Sequence, residues 1–180
     1  LLTQAFIIMT RAVGMENIPP DYLLKATHEM ACALGSTGMI GGQVVDLESE
    51  GKPITKETLE YIHIYKTGFL IRACIRCGGT LSQASAGQLS SLSRFGAHIG
   101  LAFQIIDDVL DVTGDQERLG KDIGSDLTKG KATYPALYGL EESKRKAEEL
   151  VEDGIDCLKE FDGRADPLRE IARFFVQRTF

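Results

Sequence analysis

No apolar run in these 180 residues approaches the ~18 that a membrane-spanning helix needs. Residues 1 to 13 lack the charged start, apolar middle and small-residue cleavage site of a secretory signal. Positive charge is in short supply. Lys and Arg number 20 against 26 Asp and Glu, and the formal net charge of −6 is the wrong sign for a nucleic-acid binder. Four cysteines do not make a disulfide framework in a chain of this size. Cys74 and Cys77 form one C-x-x-C, but no second pair and no nearby His pair completes a zinc site, so both read as core packing on a helix. Reduced cysteines are simplest in a reducing cytosol, which makes a cytoplasmic protein the expectation. No segment alternates with strand period, and there is no internal repeat or low-complexity tract. With 43% hydrophobic residues the chain is expected to be a single all-α domain with a substantial core.

The pattern of apolar residues places the helices. Residues 1 to 13 read as a largely buried helix ended by Gly14. Pro19 and Pro20 open the next one at Asp21, with Ala26, Met30, Ala31 and Leu34 on its apolar side; His28 stands alone there and reads as a partner for solvent or a neighbour. Glycines among residues 35 to 42 suggest a kink or close packing. Gln43 and Asp46, three apart, share a helix face inside an apolar setting, either as a core hydrogen-bond pair or as cavity lining. Thr55 is placed to cap a long helix from 56 to about 78. Lys66 interrupts the stripe of Leu59, Ile62 and Leu70, with Thr67 beside it; it either snorkels to solvent or serves an anion. Gly78, Gly79 and Gly87 suggest a small-residue connector, and the next helix is expected to begin near Gln88 or Ser91. Pro135 is expected to interrupt a short helix over 132 to 140. Residues 141 to 161 form an amphipathic helix, with Glu141–Arg145 and Glu142–Lys146 spaced i,i+4 on its wet side. Asp166-Pro167 starts the last helix.

Residues 103 to 115, Phe-Gln-Ile-Ile-Asp-Asp-Val-Leu-Asp-Val-Thr-Gly-Asp, carry three carboxylates in an apolar run. At about 100° per residue, Gln104, Asp107, Asp108 and Asp111 fall on one stripe, while Ile105, Ile106, Val109, Leu110 and Val112 cover the rest of the helix. A helix apolar around most of its surface is buried, so its polar stripe faces a cavity. The alternative is an acidic face in solvent. Carboxylates on a cavity suit Mg²⁺, which shares oxygen ligands with substrate phosphates. Downstream, the Gly-rich stretch 118 to 131 holds Lys121, Lys129 and Lys131, a composition that suits phosphate although it does not match the G-x-x-x-x-G-K-[ST] spacing.

Taken in order, Gly41-Gly42-Gln43-Val44-Val45-Asp46, Lys66-Thr67, Phe103-Gln104-Ile105-Ile106-Asp107-Asp108-Val109-Leu110-Asp111, Gly120-Lys121 and Gly130-Lys131-Ala132-Thr133-Tyr134-Pro135 resemble the short-chain trans-isoprenyl diphosphate synthases, the farnesyl and geranylgeranyl diphosphate synthase family. The resemblance implies a helical bundle around a central cavity. It implies condensation of an allylic diphosphate with isopentenyl diphosphate, with Mg²⁺ held between two aspartate-rich motifs, and a homodimer. Asp107, Asp108 and Asp111 resemble the second such motif, with Asp107 the first choice as metal ligand. Lys66, Lys121 and Lys131 resemble the lysines that hold the allylic diphosphate. Thr67 and Gln104 resemble the groups beside the developing carbocation, and Gln43 and Asp46 residues that support the cavity wall. The family's first aspartate-rich motif has no counterpart in residues 1 to 60, so the expectation is a C-terminal portion of a synthase domain, incomplete for turnover by itself. Rival expectations are a non-catalytic regulatory subunit, an inactive fragment and a class I terpene cyclase.

Overall fold

The computed structural model describes residues 1–11, 17–113 and 133–177. Among them all regular structure is helical. The helices are α1 (Leu2–Thr10), α2 (Pro20–Leu34), α3 (Met39–Ser49), α4 (Lys56–His63), α5 (Phe69–Leu81), α6 (Ala86–Thr113), α7 (Tyr134–Tyr138), α8 (Leu140–Cys157) and α9 (Asp166–Gln177). A π-helical turn, Ile64–Gly68, joins α4 to α5, and a 3₁₀ turn, Gly163–Ala165, precedes α9.

The 28-residue α6 is the axis of the bundle. It packs against α5 on one side and α8 on the other, and also touches α4, the π turn, α7 and α9. Phe95, Ile99, Ala102, Ile105, Ile106 and Leu110 of α6 are buried, and Leu150, Val151 and Leu158 join them in one core cluster from α8 and the turn after it. Each fully buried aliphatic side chain contributes about 1.5–3 kcal/mol. Val112 departs from the expectation: among the described residues it is exposed, in the last turn of α6.

Helix ends follow local chemistry. Thr55 caps α4 as expected, its Oγ1 accepting from the Thr58 N–H at 3.2 Å. Thr133 caps α7 in the same way, accepting from the Ala136 N–H at 3.4 Å. Pro135 therefore opens a helix and does not interrupt one, since its missing N–H falls in the first turn, where no helical partner exists. Arg169 satisfies the end of α8: its Nη2 donates to the carbonyls of Leu158 and Phe161 at 2.6 and 2.8 Å.

Other expectations need correction. α1 has no buried residue; Leu1, Leu2, Ile7 and Ile8 are exposed, because among the described residues only α2 lies against this helix to any extent. The helix expected from 56 to 78 is broken into a wide turn at 64–68 and then runs on to Leu81, so Gly78 and Gly79 lie inside α5 and not in a connector. Gly79 is there because a Cβ would come within 2.6 Å of Leu92 Cδ1 on α6, which starts at Ala86, earlier than expected. Cys77 is buried but Cys74 is exposed, since the wide turn rotates the face presented by α5. Burial pushes the Cys77 thiol up to about 11, with the nearby Glu29 charge adding to the effect, so it stays protonated and unsuited to zinc or redox work. On α8 the ion pairs form at i,i+3, Glu141–Lys144 and Glu142–Arg145, with Arg145 also reaching Glu149.

Close backbone contacts hold the π turn. A Cβ on Gly42 of α3 would lie 2.3 Å from the Lys66 backbone nitrogen, and one on Gly100 of α6 would lie 2.7 Å from Gly68 Cα. The turn is thus gripped between two helices at points where only hydrogen fits. Gly100→Ala is expected to lower unfolding free energy by about 1–3 kcal/mol, as overpacking does. Gly78→Ala, where a Cβ meets nothing within 4 Å, is expected to raise it by about 0.4–1 kcal/mol. Denaturant melts of the two variants beside the parent check both signs.

Candidate functional site

The site is built around that turn. In it the Phe69 N–H reaches back to the Ile64 carbonyl, five residues earlier, which widens the helix by one residue. Lys66 and Thr67 sit at its centre. Both line a pocket of about 280 Å³ together with Met39, Ile40, Gln43 and Val44 of α3. The pocket wall is thus largely hydrocarbon, with three polar side chains set into it.

Lys66 does not simply snorkel. Its Nζ donates to Asp46 Oδ2 at 2.6 Å across the α3 interface. Asp46 is buried at 9% exposure, and the lysine is about one-third exposed. Gln43 and Asp46 were expected to pair with each other or line the cavity; Gln43 lines it, and Asp46 holds the lysine that also does.

On the other side of the turn, Thr67 Oγ1 donates to Gln104 Oε1 at 2.9 Å. Gln104 Nε2 donates in turn to Asp108 Oδ1 at 3.4 Å, one helical turn along α6. Asp108 is 5% exposed, and its other oxygen accepts from the Tyr134 backbone N–H at 2.8 Å and from His63 Nε2 at 3.2 Å. A carboxylate only accepts, so Asp108 fixes which end of the Gln104 amide faces it. The amide carbonyl then points at Thr67, whose hydroxyl must donate its proton there. What the threonine oxygen has left is lone-pair density. The direction of the whole relay follows from the charge at its buried end.

The three aspartates consequently do not act alike. Among the described residues no three His, Cys, Asp or Glu side chains converge to hold a metal. Asp108 lies at one edge of the stripe, its oxygens engaged by α4, α7 and Gln104, whereas Asp107 and Asp111 are partly exposed. Tyr134, whose N–H holds Asp108, stacks on Tyr138 at 4.4 Å between ring centroids. Burial first, then the neighbouring Tyr138, pushes its phenol up to about 12, so it is neutral at physiological pH. Lys121 and Lys131 lie outside the described residues.

His63 is the residue that sequence reasoning missed. It is buried at 3% exposure, and its Nδ1 is a buried nitrogen with no hydrogen-bond partner among the described residues. Such an orphan costs about 1–3 kcal/mol, which a hydrocarbon side chain of similar volume would not incur. What the imidazole supplies in exchange is the Nε2 donor to Asp108. A signal existed: His63, Lys66 and Thr67 are spaced i, i+3, i+4, which gathers three polar groups on one face of a helix.

Residues 1–165 match the polyprenyl synthetase family. The chain is 45% identical over 180 residues to geranylgeranyl diphosphate synthase of Cyanophora paradoxa, covering 99% of this chain and 59% of that protein. It is 46% identical over 178 residues to farnesyl diphosphate synthase of Geobacillus stearothermophilus, covering 99% and 60%. Among solved structures, an FPP/GFPP synthase from Zymomonas mobilis superposes with a TM-score of 0.81 at 33% identity, over 96% of this chain and 57% of that one. A geranyltransferase from Helicobacter pylori, complexed with magnesium and isoprenyl diphosphate, gives 0.78 at 29% identity, over 98% and 56%. The chain thus spans about three-fifths of the length of the curated relatives it matches. Its all-helical fold and this agreement in sequence and structure place the chain in the polyprenyl synthetase family.

Proposed function

We propose that this protein is a prenyltransferase of isoprenoid biosynthesis, condensing an allylic diphosphate with isopentenyl diphosphate. Residues 1–180 then act as one domain that supplies the second aspartate-rich half of the site. The observation that carries the reading is the convergence of Lys66 and Thr67 on an otherwise hydrocarbon pocket wall. Isoprenoid diphosphates have that same division: an apolar chain, a highly charged head and, between them, the carbon that becomes cationic.

The donor set fits Mg²⁺. Two carboxylates on one stripe, Asp107 and Asp111, are the type and number that Mg²⁺ takes from protein when substrate phosphates complete its shell. When bound it neutralises charge on the departing diphosphate. The remaining work falls to this chain. Lys66, held at its Nζ by Asp46, presents a point charge to the diphosphate. Thr67 turns oxygen lone pairs toward the carbon that loses the diphosphate, because its proton is committed to Gln104. Met39, Ile40 and Val44 hold the hydrocarbon and exclude water, which would otherwise capture the cation. Lys121 and Lys131 join Lys66 as diphosphate contacts in this reading. A homodimer in the cytoplasm completes it.

The reading is tested by condensation of geranyl diphosphate with labelled isopentenyl diphosphate, assayed on the whole protein with and without Mg²⁺. Turnover is expected only with the metal, and metal-independent turnover would remove the basis of the proposal. Asp107→Ala is expected to cost about 10²–10³ in kcat, the scale of losing one electrostatic stabiliser. Thr67→Val is expected to lower kcat about tenfold with little change in KM, because the oxygen matters chiefly when positive charge develops. An equal rise in KM at constant kcat would instead make Thr67 a ground-state contact.

A further inference from the structure

The hydrogen bonds around the π turn close into a ring. His63 immediately precedes the turn and Thr67 lies within it, four residues apart. Their partners on α6, Asp108 and Gln104, are also four residues apart and bonded to each other. His63 Nε2, Asp108, Gln104 and Thr67 Oγ1 thus form a continuous strap, and the backbone from 63 to 67 closes it. Each end of the widened turn is tied to the same helix, one turn apart. Lys66 lies between the ties and is held from the opposite side by Asp46.

We infer that His63 is a positioning residue: by donating to Asp108 it locks the π turn in register with α6 and so sets where Lys66 and Thr67 enter the pocket. Its relevance to prenyl transfer rests on the function proposed above, but the lock itself does not. Two features of the imidazole support the assignment over simple packing. Nε2 must carry a proton for its contact with a carboxylate to be a hydrogen bond. Nδ1 is buried without a partner among the described residues, so packing of the ring there is not driven by satisfying both of its nitrogens. The second donor to the same Asp108 oxygen, the Tyr134 N–H, means that loosening His63 also loosens the start of α7.

Amide hydrogen exchange on the full chain reads the lock directly. In His63→Leu, exchange at Thr67, Gly68 and Tyr134 is expected to quicken about tenfold more than at Leu150 and Val151 of α8, since one hydrogen-bonded tie has been cut locally. In His63→Gln, whose amide can donate from near the Nε2 position, protection at those three amides is expected to return. Gln104→Met opens the ring at its other side, and is expected to free Thr67 and Gly68 while Tyr134 stays protected. That variant also serves if His63→Leu does not fold. Unchanged exchange at the turn in both variants would overturn the inference, as would equal loss throughout α8 or failure of glutamine to restore protection. Calorimetric titration of the same proteins with Mg²⁺ and inorganic pyrophosphate separates the two proposals. An intact lock in a parent chain that binds no Mg²⁺–pyrophosphate counts against the prenyl-transfer reading and leaves the role of His63 standing.

Discussion

The arrangement depends on one buried carboxylate. A carboxyl group at 5% exposure is tolerated only if its oxygens are met by donors, and Asp108 has three around it: a ring nitrogen, a backbone N–H and a side-chain amide. Each donor comes from a different stretch of chain. The same requirement that makes Asp108 tolerable in the core therefore joins α4, α7 and its own helix at a single point. It also dictates the orientation of Gln104 and, beyond it, the direction of the Thr67 hydroxyl. A carboxylate that does not itself line the pocket thus decides the hydroxyl direction of a residue that does.

Backbone geometry supplies the rest. The π turn widens the helix where Lys66 and Thr67 sit, which lets neighbouring residues address Asp46 on α3 and Gln104 on α6. Glycine on each flanking helix allows that approach, Gly42 toward Lys66 and Gly100 toward Gly68. Side-chain hydrogen bonds give the turn its register, and the absence of two side chains gives it room.

Much of this was legible in the sequence because it follows helical period. The stripe of Gln104, Asp107, Asp108 and Asp111, the Thr55 cap and the buried face of α8 all come from spacing alone. Lys66 and Thr67 stood out because they broke an apolar stripe. The π turn itself was not legible: a count by 3.6 residues assumes the regularity that the turn violates, and no proline marks it. The cost was a wrong exposure for Cys74 and a connector where α5 continues. Distinguishing Asp108 from Asp107 needed long-range partners, since adjacent carboxylates look identical until Tyr134 and His63 are seen to claim one of them. α1 was misjudged for the opposite reason, because apolar composition says that a helix seeks cover but not which surface provides it.

The widened turn also has a meaning in terms of chain length. It amounts to one residue more than a regular helix would use between His63 and Phe69. Removing a single residue there would give a straighter helix with better local hydrogen bonding, yet it would turn everything upstream by about 100° relative to everything downstream. The Asp46 and Gln104 partners could no longer both be met from adjacent positions. Five residues of slightly poorer helix thus act as a phase adjustment between two well-packed halves. A change in the length of the turn would uncouple those halves from one another.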